Sequence, residues 1–263
     1  VKVIPIYLLS YYFEDTLFSV IDRLNEITRV PIKIIVGDNF SENSNQIRKK
    51  LADYKHQNKI HSSYFYPENH GTKIIKHMVY AEGEKSEYIV IGDGDALINS
   101  DSSFCWLSDF LKILNDPKIG LIAFQSKNES LPVAMENKKR DSLSFKISSK
   151  DSHTAFSAKE VLAMPASPVR GHFMTLKTAS LYEYYQNRVD GDGTYDGGLQ
   201  RFLASKNYSI AKYTRSFTYN LGTIKAGYDC DGLNQKYPVD LKYKNIRKVS
   251  WDNFTFPKNY KKI

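Results

Sequence analysis

Apolar residues follow two alternating rhythms along the first hundred positions. Val3–Leu9 (VIPIYLL) is a continuous apolar, β-prone run, as expected of a strand buried on both faces. A polar turn over Ser10–Asp15 follows. Then Leu17, Val20, Ile21, Leu24 and Ile27 recur at the spacing of one helix face. The pattern restarts after Pro31. Ile32–Val36 predicts a second strand ending in Gly37-Asp38-Asn39, Ser41–Tyr54 a helix, Ile60–Tyr66 a short strand and Gly71–Ala81 a helix. Tyr88–Gly92 predicts a further strand, ending in Asp93-Gly94-Asp95. Strands alternating with helices in this way predict parallel βαβ units.

The second half is less regular. Phe104–Leu114 reads as a helix, Ile119–Gln125 and Arg170–Leu176 as strands, and the Gly- and Asp-rich stretch Gly191–Gly198 leads into a helix over Leu199–Ser205. Ser126–His153 is polar and lysine-rich with little to bury, and is expected to be a long surface loop of the kind that often serves as a lid. The tail from Tyr237 is basic and aromatic. With no internal repeat and no low-complexity linker, one α/β domain with a C-terminal extension fits best.

Composition narrows the class. A chain of 263 residues with 41% hydrophobic and 25% charged residues can bury its own core and is not disordered. No apolar run approaches the roughly 18–20 residues of a membrane span. No secretory signal is visible at the start, where the first residue is Val. Two cysteines, Cys105 and Cys230, make neither a disulfide framework nor a structural zinc site, although one disulfide stays open. A reducing, cytoplasmic location is the expectation. Lys and Arg total 37 against 29 Asp and Glu, a net charge of +8 that points to an anionic partner. The 19 Tyr and 14 Phe suit stacking on nucleic-acid bases, nucleotides or sugars alike.

Chemistry concentrates at two strand ends. In open α/β sheets ligands bind beyond the carboxyl ends of the strands, and both Asp38 and the Asp93-Gly94-Asp95 triplet fall there. In extended chain, residues two apart point the same way, so Asp93 and Asp95 would face one ligand. Alone they repel, and a divalent cation between them resolves the repulsion. Oxygen ligands suit Mg2+ or Mn2+ better than zinc. Gly94 removes a side chain where a phosphate must approach. A plain surface turn is the competing reading, because Asp-Gly-Asp is common in turns. Its position at the end of an apolar strand, beyond an earlier strand-end Asp, favours the ligand site.

On these residues the chain resembles the GT-A glycosyltransferases, closest to the large bacterial family 2. IYLLSYYFEDTLFSVIDRL is similar to that family's opening strand, polar loop and helix; Ser10 and Tyr11 match its first two polar positions and Tyr12 departs from its usual Asn. IKIIVGDNFSENS resembles its second strand and D-x-S-x-D loop, which implies that Asp38 contacts the nucleotide base, normally uracil. ENHGTKIIKHM resembles its N-x-G segment, implying that Asn69, Gly71 and Lys73 or Lys76 line the nucleotide pocket. EYIVIGDGDALI resembles its DxD strand, implying Asp95 as direct metal ligand and Asp93 on the ribose or the metal's water shell. VRGHFMTLKTASL is similar to its acceptor-floor strand, placing Arg170, Gly171 and His172 at the acceptor. TYDGGLQRFLASKNYSI resembles the helix carrying its catalytic carboxylate, with Asp196 on that position and Asn207 departing from the usual Gly before Tyr208. The match spans about residues 3–222. It implies a nucleotide-sugar-binding half over 1–100, an acceptor half over 101–236 and an extension over 237–263.

The implied reaction is inverting transfer of one sugar, from a UDP-sugar by expectation, to a glycan or glycolipid hydroxyl. A carboxylate within reach removes the acceptor proton. Asp196 is the first candidate base and Asp192 the second; a helix N-cap is the structural alternative for either. Related enzymes often place a metal-binding His late in the chain, and here Asn220 stands in that position. His172 reads equally well as a polar packing residue. The Q-x-x-R-W motif of processive synthases is absent. The tail, with Lys242, Lys244, Arg247, Lys248, Tyr243 and Trp251, has three readings: peripheral contact with anionic lipid at the inner face of the membrane, an anionic acceptor, or a solvated face packing its aromatics on the domain. Nucleotidyl transfer is disfavoured because the first loop, SYYFED, has no glycine to cradle phosphates. A non-catalytic glycan or nucleic-acid binding module leaves the strand-end carboxylates unexplained, so nucleic acid is not expected as a partner. A retaining transferase of the same fold stays open.

Overall fold

The computed structural model describes residues 2–11, 14–41, 44–99, 104–127, 163–165, 172–187, 195–220 and 259–263. In the first half the order is β1 (Ile4–Ser10), α1 (Glu14–Ile27), β2 (Ile32–Asp38), α2 (Ser44–His56), β3 (Ser62–Phe65), α3 (Lys73–Ala81) and β4 (Tyr88–Asp93). Then come β5 (Ala96–Asn99), α4 (Trp106–Leu114), β6 (Ile119–Lys127), β7 (Ala163–Pro165), β8 (Met174–Lys177), α5 (Thr178–Asn187), α6 (Tyr195–Ser205), β9 (Ser209–Asn220) and β10 (Lys261–Lys262).

The strands form one mixed sheet in the order β10-β3-β2-β1-β4-β8-β6-β9-β5, with β7 beside β9. β3, β2, β1 and β4 are parallel. β8 runs antiparallel to both β4 and β6. The chain grows from β1 through β2 to β3 on one side and returns to place β4 on the other. The boundary between β1 and β4 is therefore a topological switch point, where neighbouring loops diverge and leave a crevice.

Strand alternation divides the core into two layers. Ile4, Ile6 and Leu8 face one side, with Leu17, Ile21 and Leu24 of α1, Leu51 of α2, and Trp106 and Phe110 of α4. Tyr7 and Ile35 face the other, with Ile74 and Met78 of α3, Leu181 and Tyr184 of α5, and Leu199 and Leu203 of α6. Helices thus cover both faces of the sheet, as the alternation of the first half predicts.

Five of the described elements are not expected from the sequence, among them the short β7 (Ala163–Pro165) beside β9. β5 lies hidden inside the stretch read as a motif. α5 carries the helical spacing Leu181, Tyr184, Tyr185 on its buried face. β9 is a long strand that pairs with β5, β6 and β7. β10 closes the far edge against β3, with Ile263 and Ser63 exchanging backbone hydrogen bonds of 2.9 Å. The ring of Tyr260 lies 4.4 Å from that of His77. The last residues of the tail therefore pack on the domain.

Candidate functional site at the carboxyl edge of the sheet

Strand register brings the acidic strand ends together. Ser10 of β1 pairs with Asp38 of β2, and Leu9 pairs with Asp93 of β4. Backbone bonds continue this alignment past the strands. Asn39 N–H donates to the Ser10 carbonyl at 2.9 Å, and Gly94 N–H donates to the Leu9 carbonyl at 2.7 Å. Ser10, Asp38 and Asp93 therefore end three adjacent strands at this edge, Ser10 and Asp38 continuing the face of Leu8 and Val36 and Asp93 that of Ile91, with Asp95 in the turn between β4 and β5.

Asp38 is the most enclosed of these groups, with 1% of its surface exposed. Its Oδ1 accepts a short 2.5 Å bond from Ser41 Oγ, while Oδ2 has no hydrogen-bond partner. Burial pushes the Asp38 carboxyl above the ordinary aspartate range, against the pull of the Ser41 hydrogen bonds and the Arg48 charge. The Ser10 hydroxyl is likewise buried without a partner. Unpaired buried polar atoms cost free energy, and a ligand supplying complementary groups recovers it.

Beside Asp38 lies a polar knot. Asn39 Nδ2 donates to Asn69 Oδ1 at 2.6 Å and to the Gly71 carbonyl at 3.3 Å, while Asn39 Oδ1 accepts from His70 N–H at 2.8 Å. Asn69 Oδ1 also accepts from Gly71 N–H at 2.8 Å. Gly71 sits at φ +59, a conformation glycine adopts without strain. The knot fixes the loop entering α3, whose first residue is Lys73. The sequence gives Asn39 no role of its own beside Asp38, because its partner Asn69 is thirty positions away. Lys76, the alternative to Lys73, lies with its Nζ 5.7 Å from the ring centre of Tyr185.

Asp93 is partly open, with 43% of its side chain exposed. Its Oδ2 lies 4.0 Å from Nδ1 of His172, a buried residue in the turn before β8. Tight packing holds the two together. Phe173 has φ +52 and is fully buried, and a Cβ at Gly92 would meet its ring at 2.8 Å. The structure thus carries His172, read from sequence as an acceptor-floor residue, up against the Asp93 carboxylate. Packing by itself favours glycine at position 94. A Cβ there would meet Leu17 Cδ1 at 3.0 Å and the Leu9 carbonyl at 3.1 Å.

Asn220 also arrives at this edge. It is the last residue of β9 and pairs with Ala96, the neighbour of Asp95. Asp196 is the second residue of α6. Asp192, Arg170 and Gly171 lie outside the described residues, as do most of Ser126–His153 and of the tail. Among the described residues no group of three or more His, Cys, Asp or Glu side chains converges as a closed metal site. Asp93 ends β4 and Asp95 lies in the turn that follows, so the extended spacing expected of the pair gives way to a turn, and the donors there are two carboxylates. Such a set fits a hard divalent cation whose remaining ligands are phosphate oxygens and water. No helix among the described residues is long and apolar enough to cross a membrane.

By sequence the chain matches no family model and no curated protein. By structure it matches glycosyltransferases. A mannosyltransferase from Pyrobaculum calidifontis, solved with GDP-Man and Mn2+, aligns with TM-score 0.58 and 16% identity over 84% of this chain and 57% of that one. GalNAc-T7, solved with UDP, GalNAc and Mn2+, aligns with TM-score 0.59 and 9% identity over 83% of this chain and 44% of that one. Residues 1–349 of S. aureus TarS align with TM-score 0.53 and 13% identity over 84% of this chain and 61% of that one. The chain spans less than two thirds of the length of each. With its switch point, its antiparallel β8 and its acidic strand ends, the chain has the GT-A fold that these glycosyltransferases share.

Proposed function

We propose that this chain is a glycosyltransferase that moves one sugar from a nucleotide sugar to a glycan or glycolipid hydroxyl, with inversion, and that its kinship lies with the bacterial family 2 transferases. The observation that carries the reading is that β2, β1 and β4 end together at the carboxyl edge of a GT-A sheet in Asp38, Ser10 and Asp93, with Asp38 opposite Ser10 and Asp93 opposite Leu9, and with Asp95 in the next turn.

Each residue then has a task. The unpartnered Oδ2 of Asp38 accepts an N–H from the edge of the base. Uracil and guanine both offer one, and UDP is the favoured donor nucleotide. Ser10, Tyr11, Asn69, Gly71 and Lys73 line the nucleotide, with the Lys73 ammonium supplying positive charge. Asp95 would hold Mn2+ or Mg2+ directly, Asp93 would bind the ribose or the metal's water shell, and Asn220 would add a carbonyl oxygen, a role supported by its backbone pairing with Ala96 beside Asp95. Bound there, the cation would offset charge on the departing diphosphate. Asp196, with Asp192 as the second candidate, takes the proton from the acceptor hydroxyl. The acceptor oxygen bonds to the anomeric carbon as the bond from that carbon to the diphosphate oxygen breaks. The nucleoside diphosphate leaves with the electron pair. Arg170, Gly171 and His172 form the floor on the acceptor side, and His172 joins that floor to Asp93. The basic tail fits a lipid-linked acceptor at the inner face of a membrane.

The test is a thermal-shift panel of UDP, GDP, CMP and TDP, each with Mn2+ and with EDTA. A nucleotide at about 100 times its Kd adds roughly 2.7 kcal/mol of stability. The expected result is stabilisation by UDP that requires Mn2+ and disappears in Asp95→Ala, with the melting point of the empty variant unchanged. Absence of any nucleotide effect, with metal or without, overturns the reading.

A further inference from the structure

Phe40 is placed where neither folding nor packing asks for a large aromatic. Its backbone has φ +66, a left-handed conformation that disfavours bulky side chains and suits Gly or Asn. Half of its surface, 50%, is exposed, against near-complete burial of its neighbours Asp38, Asn39 and Ser41. Those neighbours explain why the backbone is held there. Asn39 is tied through its side chain to residues 69–71 and through its N–H to Ser10, and Ser41 is tied to Asp38. The loop is pinned on both sides of Phe40. Strain of this kind persists where the surroundings over-determine it, and such positions cluster at ligand sites. Two residues before Phe40 is the buried carboxylate with an unpartnered oxygen.

We infer that Phe40 is the platform on which the base of the bound nucleotide stacks, while Asp38 reads the edge of that base. The inference rests on the donor-site reading above and adds to it the residue that grips the base face. An aromatic face accepts any base, whereas an acceptor at the edge selects a base presenting an N–H. Together the two residues bind the base with one generic and one selective contact. The pinned loop accounts for the strained backbone, and the bound base accounts for the exposed ring.

The experiment measures binding without turnover. Calorimetric titration of UDP and of GDP, each with Mn2+, is performed on the native chain and on Phe40→Gly, Phe40→Asn and Phe40→Tyr. Pyrophosphate with Mn2+ is the base-free control. Base–aromatic stacking contacts correspond to roughly a 10-fold change in Kd. Phe40→Gly and Phe40→Asn are expected to weaken the nucleotide that binds the native chain about 10-fold. Both should leave pyrophosphate binding unchanged and unfold no earlier than the native chain, because both residues tolerate the left-handed conformation. Phe40→Tyr is expected to keep the native affinity. Nucleotide affinity unchanged in Phe40→Gly and Phe40→Asn overturns the inference, as does an equal loss for pyrophosphate. A native chain that binds neither nucleotide overturns the donor-site reading itself, which separates the two failures.

Discussion

Glu84, at the amino edge of the sheet, accepts from Lys33 Nζ at 2.8 Å, from Ser86 N–H at 2.7 Å and from Tyr7 Oη at 3.3 Å. Asp38, at the carboxyl edge, accepts from Ser41 and keeps one oxygen unpartnered. Both carboxylates are buried. Their acidities move in opposite directions. Burial pulls both upward; at Glu84 the Lys33 and Ser86 bonds outweigh it and hold the group below its ordinary value, whereas at Asp38 burial prevails. Nearby Glu82 repeats the Glu84 solution, accepting from Ser62 Oγ and Tyr64 Oη at 2.7 Å and from Lys262 Nζ at 3.0 Å. The amino edge thus uses its buried charge to hold strands and the C-terminal segment together. At the carboxyl edge Asp38 Oδ2 and Ser10 Oγ instead remain buried without a hydrogen-bond partner.

The largest expected effect is on stability at the amino edge. Glu84→Ala strands the partly buried Lys33 ammonium and the fully buried Tyr7 hydroxyl and should cost about 3 kcal/mol in urea unfolding. Nucleotide affinity of the folded fraction should stay unchanged. Gly92→Ala probes whether the carboxyl edge is slack throughout. Its new methyl group meets the fully buried Phe173 ring, so a loss of about 2 kcal/mol is expected, together with weaker Mn2+ binding by paramagnetic resonance as His172 and Asp93 shift. A neutral Gly92→Ala would show that the packing beneath Asp93 is loose. Asp38→Asn should do the reverse of Glu84→Ala, changing the stability of the empty chain by less than about 1 kcal/mol while weakening nucleotide binding about 10-fold. If Asp38→Asn unfolds the protein as Glu84→Ala does, the contrast between the two edges is lost.

The smallest effect is in the pH profile. Burial, aided by the charge of His70, lowers the His77 imidazole from 6.5 to about 4. The unfolded chain therefore binds that proton first, and stability falls as pH drops from 6.5 towards 4. Glu82 and Glu84, held below 4.5, add stability that is present above that value and lost below it. Asp38 has the opposite sign, taking stability away as pH rises past 3.8. Urea midpoints in His77→Gln should lie flatter than those of the native chain between pH 6.5 and 4; an unchanged slope would assign the acid response to other groups.

The sequence alone determined the β1-α1-β2-α2-β3-α3-β4 core and the place of its acidic residues. Hydrophobic periodicity is local, and consecutive parallel units bury their faces against immediate neighbours, so Ile4–Ser10, Ile32–Asp38 and Tyr88–Asp93 announce themselves. Asp38, Asp93 and Asp95 were legible for the same reason, since the end of an apolar run marks the end of a strand. The tertiary structure alone decided that β8 enters antiparallel between β4 and β6, that His172 reaches Asp93 and that Asn39 binds Asn69. It also decided that Asn220 pairs beside Asp95 and that Lys261–Lys262 close the edge of β3. Each of these joins residues at least thirty positions apart. No local period encodes such a pairing, because it depends on which sheet edges and buried polar atoms are left once the local units have formed.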